Sequence, residues 1–436
     1  MQYTADGLLT AFVNPRGHKS VYQYNDLGRF VEDTNAAGGG WTLARSENQG
    51  GGYTTTMTTK KGRVTQYQVK PQDNGEMLRV NTSPDGTVNK TFINAEGETT
   101  VTRPDGTVIV SSQSPDPRFG MQAPFTSLLT ITTPNGLSGV ITTEKTVELA
   151  EASDPLSLLS LTTQITSNDR TSQSVYDATN KTLTAQSAAS RKSVSILDDK
   201  GRVIQQQVPG LADVFYSYDN RGRLTQVIKG EGDEARIATI SYDPDSGYVA
   251  KLTDALQRTE EFTRDAVGRV LKQKLPDNRQ IEYEYDKNGN LTALKPPNRP
   301  EHLYAYNEVD LQTAYQAPSV GLESHETLSS YNLDEQVTRI TRPDNQVVDF
   351  NYDQGGRLTE IVLPKGTQTY TYDLNSGQVT AVADLSSDIK LNYRYDGSLL
   401  LEEKWSGSLT GRVNYGYNAD FRLASHSVNE QSHIAY

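Results

Sequence analysis

Aromatic and polar residues alternate along much of this chain with a period of two. In Tyr283-Glu284-Tyr285 the two tyrosines fall on one face of an extended strand and the glutamate falls on the other. The residue between the two aromatic positions is also polar in the other clear copies: Ser217, Asn351, Thr371 and Arg394. No segment shows a long helical period. The pattern therefore predicts many short strands, each with one half-apolar face and one polar face.

A turn signal follows each of these strands. An Asp or Asn comes directly after the second aromatic residue, and in the clearest copies a Gly follows three residues later, as in Asp219 to Gly222. The side chain of such an Asp or Asn accepts backbone N–H groups in an Asx turn, and glycine tolerates a positive φ. Proline-centred turns at 276–278, 343–345 and 364–366 close the second half of the period. Each unit is therefore predicted to be a hairpin that a further hairpin joins to the next unit.

The tyrosine–aspartate (YD) unit recurs at a steady period. The residue before the Asp or Asn falls at positions 218, 242, 264, 285, 306, 331, 352, 372, 395 and 417, with spacings of 20 to 25 residues. Such a period has room for two strands and two turns. The repeat residues to which we assign a structural role are Tyr22, Tyr24, Gly28, Arg29, Tyr216, Tyr218, Asp219, Gly222, Arg223, Tyr283, Tyr285, Asp286, Gly289, Tyr352, Asp353, Gly356, Arg357, Tyr370, Tyr372, Asp373, Gly377, Tyr393, Tyr395 and Asp396.

The regularity of the repeat divides the chain into three predicted parts. Residues 1–120 carry diverged hairpin repeats, and residues 195–436 carry the regular YD repeats. Residues 121–194 form a transitional β segment between them, and a proline-rich stretch at 111–124 marks the expected boundary. The predicted fold class is all-β, a continuous antiparallel ribbon of repeated hairpins.

These repeats resemble those of the YD-repeat proteins, which comprise bacterial Rhs and wall-associated proteins, the C component of insecticidal toxin complexes and the teneurin shell. The resemblance covers essentially the whole chain and is strongest over residues 195–436. It implies a β-sheet that spirals into a large hollow shell. In bacterial members the shell encloses a polymorphic C-terminal toxin, and in teneurins it is part of an adhesion ectodomain. The implied partners are the rest of the parent shell and an enclosed toxin domain.

The chain departs from a complete bacterial member in two respects. Such shells end in a PxxxxDPxGL-type segment where an aspartyl autoprotease releases the toxin, and no such segment occurs here. Asp243-Pro-Asp245-Ser-Gly247 comes nearest, but it is in register with the other repeat turns and lacks a second carboxylate for paired-acid chemistry. The chain also begins inside a repeat and ends inside or just after one. We therefore expect a fragment of shell wall that is not an enzyme.

Composition and charge exclude several other functions. Hydrophobic residues make up 35% of the chain, and 24 Tyr stand against 9 Phe and 2 Trp, which indicates extensive sheet surface over thin cores. The net charge is −12 without a basic cluster, so nucleic acid is not an expected partner. No apolar run approaches the ~20 residues that span a bilayer. The chain has no cysteine and no signal peptide. We expect a bacterial protein that is secreted or lies at the cell surface, with its export signal outside this sequence.

Candidate metal-binding and catalytic residues form no recognisable constellation. The five histidines show no HExxH or HxH spacing, and neither a phosphate-binding glycine-rich loop nor a GxSxG elbow occurs. Glu323, His325 and Glu326 lie close together in sequence, and the acidic run 231–234 lacks the spacing of an EF-hand. Both are better explained as solvated polar turns. No cofactor or metal is therefore expected.

The row of tyrosines has two interpretations. Exposed aromatic rows can stack on sugars, and some YD-repeat proteins are associated with carbohydrate or heparin binding. Alternatively, the rings of successive hairpins pack on one another as cross-strand pairs. We favour packing because tyrosines occupy every repeat rather than one patch, and an acidic chain also argues against heparin. An extracellular adhesion module that binds carbohydrate or protein stays the alternative function.

Overall fold

The computed structural model describes residues 1–319 and 325–435. In these residues the chain forms 39 β-strands and two 3₁₀ turns, at Asp73–Gly75 and Gly232–Glu234. No helix within the described ranges is long and apolar enough to cross a membrane. The strands in chain order are β1 (Gln2–Tyr3), β2 (Leu9–Val13), β3 (Lys19–Tyr24), β4 (Phe30–Thr34), β5 (Gly40–Glu47), β6 (Tyr53–Thr59), β7 (Val64–Pro71), β8 (Met77–Thr82), β9 (Val88–Ile93), β10 (Thr99–Thr102), β11 (Val108–Asp116), β12 (Gly120–Thr132), β13 (Ser138–Leu149), β14 (Leu158–Ser167), β15 (Arg170–Asp177), β16 (Thr182–Gln186), β17 (Lys192–Leu197), β18 (Val203–Gln207), β19 (Val214–Tyr218), β20 (Leu224–Lys229), β21 (Arg236–Tyr242), β22 (Val249–Thr253), β23 (Thr259–Arg264), β24 (Val270–Lys274), β25 (Gln280–Tyr285), β26 (Leu291–Lys295), β27 (His302–Tyr306), β28 (Gln312–Gln316), β29 (Glu326–Tyr331), β30 (Val337–Thr341), β31 (Val347–Tyr352), β32 (Leu358–Leu363), β33 (Gly366–Tyr372), β34 (Val379–Asp384), β35 (Ile389–Asp396), β36 (Leu399–Ser406), β37 (Gly411–Tyr417), β38 (Leu423–Val428) and β39 (Ser432–Ala435).

All of these strands belong to one antiparallel sheet. Each strand pairs with the strand before it and the strand after it in the sequence, from the β1–β2 pair to the β38–β39 pair. Short turns favour this order because an antiparallel neighbour needs only a tight connection. The all-β ribbon of hairpins predicted from the repeat is therefore confirmed.

A β-bulge recurs beside the YD turns. In the β19–β20 hairpin, Ser217 lies opposite Gln226 whereas Tyr218 lies opposite Leu224, so β20 contains one extra residue. The same shift occurs at the second aromatic position of hairpins from residue 24 to residue 417. A hairpin such as β22–β23, which has no YD turn, pairs without a shift. Because a bulge bends and twists its strand, bulges repeated at one edge curve the ribbon.

The turns form two rows along the ribbon. We call one row the YD edge; its turns connect an odd-numbered strand to the next even-numbered strand. The opposite edge consists of the turns that connect an even-numbered strand to the next odd-numbered strand. Turns of the opposite edge between residues 14 and 170 contact turns of the YD edge between residues 286 and 421. Partners lie 250 to 300 residues apart and advance together along the chain. The ribbon therefore spirals, and one winding takes about that many residues.

The wall of this spiral is one sheet thick and has no central core. The buried apolar residues of the described ranges are alanines, at positions 11, 293 and 381, and no large side chain there is fully buried. The accessible surface is 26220 Å². A compact monomer of 48.1 kDa would expose roughly 16,500 Å². The difference arises because both faces of the sheet meet solvent, so cross-strand pairs and turns must supply much of the stability.

The sheet continues without a break through residue 120, where the sequence predicted a boundary. Strand β11 ends before residue 120 and β12 begins at it, and these two strands pair with each other. Of the three longest described strands, β12 begins one residue before the predicted transitional segment and continues into it, and β13 and β14 lie within it. The division into three parts rests on the regularity of the repeat in the sequence, and it stays a prediction.

Candidate functional site

The YD turn is organised by its aspartate. Asp219 Oδ1 accepts hydrogen bonds from the backbone N–H groups of Arg221 (2.9 Å) and Arg223 (2.8 Å), and Oδ2 accepts one from Arg223 Nε (2.7 Å). Gly222 has a φ of +84°, and its N–H donates to the Asp219 carbonyl at 3.0 Å. The backbone N–H and the guanidinium of Arg223 hold the pKa of Asp219 below its ordinary value. An ionised carboxylate therefore closes the turn.

Other predicted turns share this geometry. Asp286 accepts hydrogen bonds from the backbone of Asn290, and Asp353 accepts them from the backbone and guanidinium of Arg357. In the first part of the chain, Asn25 accepts a hydrogen bond from the backbone N–H of Arg29 in the same way. The corresponding glycines have positive φ angles: Gly28 (71°), Gly289 (98°), Gly356 (88°) and Gly377 (73°). Asp373 uses a turn that is one residue longer, in which Ser376 donates its backbone N–H to the carboxylate.

The arginine of one YD turn reaches the next turn on the same edge. The Arg223 guanidinium lies 4.1 Å from the centroid of the Tyr242 ring, and its Nη1 donates to the Gly247 carbonyl at 2.9 Å. Equivalent stacks are Arg202 on Tyr218 (4.5 Å), Arg269 on Tyr285 (5.0 Å) and Arg357 on Tyr372 (4.7 Å). Arginine thus fills the space between successive tyrosines, where the sequence predicted ring-on-ring packing. Ring-to-ring contacts among the described aromatic residues occur around Phe30, which contacts Tyr22 and Tyr24, and around Tyr315.

The second tyrosine of the motif is bonded to the preceding unit through its hydroxyl. Tyr218 Oη donates to the carbonyl of Val203, at the start of the preceding return strand, at 2.9 Å. The same hydrogen bond joins Tyr24 to Leu9 (3.0 Å), Tyr306 to Leu291 (3.0 Å), Tyr352 to Val337 (2.8 Å) and Tyr372 to Leu358 (2.7 Å). Burial raises the pKa of Tyr352 and of Tyr372, so both hydroxyls stay protonated donors.

The first tyrosines of the motif lie on the same face as the second. Tyr216, Tyr283, Tyr370 and Tyr393 are half-buried, and so is Tyr395. The polar residue between the two tyrosines is exposed on the other face, as the period-two pattern predicted.

A second set of contacts, which we call the seam, joins the two windings. Its opposite-edge turns are 14–18, 35–39, 59–63, 83–87, 103–107, 133–137 and 168–170, and its YD-edge turns are 286–290, 307–311, 332–336, 353–357, 373–378, 396–398 and 418–422. The seam fixes how the ribbon becomes a wall, so it is the candidate functional site of the molecule.

The most enclosed ion pair of the seam joins Arg63 to Asp334. Arg63 Nη1 donates to Asp334 Oδ2 at 2.7 Å, and Thr59 Oγ1 donates to the same oxygen at 3.0 Å. The two charged side chains are only 10% and 9% exposed. Each charge has lost most of its water, so each depends on the other for compensation.

Arg16 connects the first winding to two YD turns at once. Its Nη1 donates to Asp310 Oδ1 (3.0 Å) and to the Asn307 carbonyl (2.7 Å). Its Nη2 donates to the Tyr306 carbonyl at 2.8 Å, and its Nε lies 3.3 Å from Asp286 Oδ2. The fixed fork of the guanidinium suits this task because it offers several donors in one plane.

Hydrogen bonds across and beside the seam keep its carboxylates ionised. Burial acts to raise the pKa of Asp310, but hydrogen bonds, led by the one from Asn288, outweigh it and lower the pKa overall. The pKa of Asp420 is also lowered, first by its hydrogen bond from Asn168 and further by Arg170. The seam therefore favours the charged form of these acids.

Asp396 serves the seam rather than its own turn. Its Oδ2 accepts a hydrogen bond from Thr133 Oγ1 at 2.6 Å, and its Oδ1 accepts one from the backbone N–H of Asn135 at 2.8 Å. The residue is only 5% exposed. The sequence had placed Asp396 with the turn-forming aspartates, and its partners lie more than 260 residues earlier.

Some seam contacts leave no room for a Cβ atom, and Gly355 lies at one of them. A Cβ atom added to Gly355 would lie 2.6 Å from the Cβ of Asp85 and 2.7 Å from its Cα. The neighbouring Arg357 Nη1 lies 3.5 Å from Asp85 Oδ2. The two windings therefore approach here at backbone distance.

A polar cleft of about 630 Å³ opens beside the seam, between residues 61–63 and 350–354. Its lining includes Lys61, Asn332 and Asp353. Across residues 1–319 and 325–435, no group of three or more His, Asp and Glu residues could hold a metal ion.

The other residues considered as chemical candidates lie in turns. The acidic run 231–234 contains an exposed 3₁₀ turn. Asp243 caps a repeat turn through the backbone N–H of Ser246 at 2.7 Å. His325 Nε2 lies 2.8 Å from Gln316 Nε2. Glu323 lies outside the described residues.

Sequence reasoning missed the seam and the residue at the bulge. The residue two positions after the YD Asp or Asn makes a seam contact in three turns, where it is Asn288, Asp334 or Asp420. In a turn outside the seam, the same position is Arg221. This difference in residue type between turns could have indicated the seam from the sequence. The extra bulge residue was another such signal: Thr225 Oγ1 donates to the Ser217 carbonyl at 3.1 Å, and threonine recurs at this position.

Comparison with known proteins agrees with this geometry. Residues 1–434 match the Teneurin YD-shell family. The chain is 25% identical to mouse (Mus musculus) Teneurin-3 over 237 residues, which cover 48% of this chain and 8% of Teneurin-3. It is 26% identical over 252 residues to the Double-stranded DNA deaminase toxin A of Burkholderia cenocepacia, covering 52% of this chain and 17% of the toxin.

A comparison with solved structures gave an alignment along the whole chain. The crystal structure of TcdB2-TccC3 aligns with 100% of this chain and 29% of that chain, with 14% identity and a TM-score of 0.45. The chain thus spans a small part of the relatives that it matches. With the family match extending over essentially its whole length, this chain belongs to the Teneurin YD-shell family and forms part of a β-shell.

Proposed function

We propose that the chain is a length of shell wall that encloses or presents a cargo, such as a C-terminal toxin domain, belonging to the same parent protein. The observation that carries this proposal is the seam. A ribbon of hairpins becomes a continuous wall only where its edges are joined, and here polar contacts join turns some 250 to 300 residues apart. One relative of the chain is named as a toxin.

We also propose that the repeat residues are structural and that the chain itself is not an enzyme. The carboxylates that could act in acid–base chemistry are occupied by turns or by the seam, as for Asp219 and Asp396. The parent protein works outside the cell or at its surface in this proposal. Its partners are the rest of the shell and the cargo, with no role for nucleic acid.

The alternative, a glycan-binding adhesion module, has less support from the geometry. The second tyrosines use their hydroxyls on backbone carbonyls, and several of their rings are covered by arginine, as Tyr372 is by Arg357. A sugar would need free aromatic faces. A glycan array followed by calorimetry tests this point, and sugar binding that is lost when exposed tyrosines are changed to alanine would favour the adhesion module.

Protease protection of the cargo tests the wall proposal. In the full-length parent, a domain that follows the shell should resist a protease that digests the same domain when it is expressed alone. Opening the seam with Arg63→Met together with Gly355→Ala should expose the domain, whereas the surface change Lys19→Ala should not. Equal digestion in the intact shell and in the isolated domain would overturn encapsulation.

A further inference from the structure

Asparagine followed by glycine occurs three times in the chain, at Asn74, Asn135 and Asn288. This dipeptide is chemically labile, because glycine has no side chain to keep its backbone nitrogen away from the asparagine amide. The glycine nitrogen attacks Cγ of the asparagine and loses its proton, the side-chain nitrogen leaves as ammonia, and a succinimide ring forms. Water then opens the ring at either carbonyl and yields aspartate or isoaspartate.

The structure places the three asparagines in different surroundings. Asn74 and its glycine are exposed in the loop between β7 and β8. Asn135 donates its backbone N–H to the other winding, but its side chain is exposed. Asn288 is half-buried at the seam and uses both ends of its amide in hydrogen bonds. The same labile dipeptide is therefore restrained at its reacting side chain in the third position.

The hydrogen bonds of Asn288 oppose the first step of the reaction. Its Oδ1 accepts the backbone N–H of Arg16, from the other winding, at 3.1 Å. Its Nδ2 donates to the two carboxylate oxygens of Asp310 at 2.9 and 3.1 Å, and Arg16 Nη1 donates to the same carboxylate. The attacking nitrogen is engaged as well, since Gly289 donates its N–H to the Asp286 carbonyl at 3.1 Å. Ring closure needs the amide to rotate and the turn to loosen, so the closed seam slows it.

Deamidation of Asn288 would damage the contact that restrains it. The new carboxylate has no N–H to donate to Asp310. It also brings a third negative charge next to Asp286 and Asp310, which already share the Arg16 guanidinium. The isoaspartate product adds a backbone carbon to a turn that closes on the hydrogen bond from Gly289 to Asp286. After the reaction the seam contact at Arg16 cannot re-form as before.

We infer that Asn288 is a deamidation site guarded by the seam, and that its reaction makes an opening of the seam at Arg16 irreversible. The Asn-Gly dipeptide supplies the reactivity, and hydrogen bonds to both ends of the amide supply the guard. The inference concerns the seam itself and holds whether or not the wall encloses a cargo.

Peptide mapping by mass spectrometry during storage in mildly alkaline buffer tests the guard. The deamidation rate of each site in the folded chain is divided by the rate in a synthetic peptide of the same sequence. Asn288 should react about 30-fold more slowly than its peptide, which corresponds to about 2 kcal/mol of hydrogen bonding, and the exposed Asn74 should be much less protected. Arg16→Met should speed the reaction at Asn288 about tenfold and leave the rates at Asn74 and Asn135 unchanged. Lys19→Met removes an exposed charge outside the seam and should change none of the three rates.

Hydrogen exchange in Asn288→Asp tests the consequence. This variant reproduces the aspartate product and should speed amide exchange in turns 14–18 and 286–290 about tenfold. Asn74→Asp adds the same charge in an exposed loop and should leave exchange in both turns unchanged. Unchanged exchange in turn 133–137 should show that the rest of the wall stays folded in both variants.

Three results would overturn the inference. The first is an Asn288 that reacts as fast as its free peptide. The second is a deamidation rate at Asn288 that Arg16→Met does not raise. The third is equal exchange of turns 14–18 and 286–290 in Asn288→Asp and Asn74→Asp.

Discussion

Replacing Arg63 with methionine removes the guanidinium that neutralises Asp334 across the seam. Methionine keeps much of the unbranched apolar stem, so the change mainly deletes a charge and its hydrogen bond at 2.7 Å. Thr59 Oγ1 is left to stabilise the carboxylate. We expect the turns on both sides of the seam to separate more readily.

The size of the effect follows from the burial of the pair. An exposed ion pair contributes roughly 0.2–1 kcal/mol. Loss of one partner from a buried pair costs about 3–5 kcal/mol because the other charge stays desolvated. At 10% and 9% exposure the Arg63–Asp334 pair belongs near the buried limit. Separation of the turns rehydrates Asp334, so we expect a loss close to the lower value, about 3 kcal/mol.

Amide hydrogen exchange near neutral pH measures this loss locally. A change of about 3 kcal/mol corresponds to more than about 100-fold faster exchange in turns 59–63 and 332–336. The matched control is Arg258→Met, which alters the same turn position where the side chain is 62% exposed. The control also breaks the exposed ion pair of Arg258 with Asp254, so it should change stability by no more than about 1 kcal/mol.

A double variant separates lost pairing from lost packing. Arg63→Met with Asp334→Leu removes both charges and should recover most of the lost protection, because an apolar pair leaves no charge uncompensated. Equal exchange rates in Arg63→Met and Arg258→Met would refute the reasoning, as would a double variant less protected than Arg63→Met alone.

Three further predictions concern a glycine at the seam, a glycine in a YD turn and the stability of the seam at low pH. Gly355→Ala should lower the free energy of unfolding by about 1–3 kcal/mol, because its new Cβ meets backbone of the other winding. The control is Val267→Ala, at the same position of a turn outside the seam, which should cost less than half as much in urea unfolding. Gly222→Val should cost about 1–3 kcal/mol, since valine resists a φ of +84°, and equal melting of Gly222→Val and Arg221→Val would count against this turn assignment. The pKa of Asp420 is lowered from 3.8 in the folded chain, so its stabilisation is present above that pH and is lost as pH falls through the folded pKa. Hydrogen exchange in turn 418–422 during acid titration should show this loss, and Asp420→Asn should flatten it; protection unchanged down to pH ~2 would contradict the assignment.

The sequence by itself determined the local elements of this protein. Alternation at Tyr283-Glu284-Tyr285 predicted a strand with two unlike faces, and Asp219 with Gly222 predicted the turn. Such signals are reliable because a strand and a tight turn depend on residues within a few positions of one another. Hairpin pairing followed as well, since each strand finds its partner across a short connection.

Only the tertiary structure decided where the windings meet and what the repeated side chains contact. Asp396 resembles every other YD aspartate in sequence, yet its partners come from the turn at 133–137. Likewise, Arg63 and Arg258 occupy equivalent turn positions, and only Arg63 is enclosed by a second winding. The register of the seam depends on curvature accumulated over 250 to 300 residues. Each bulge bends the ribbon by an amount that no local pattern specifies, so the seam could not be located from spacing alone.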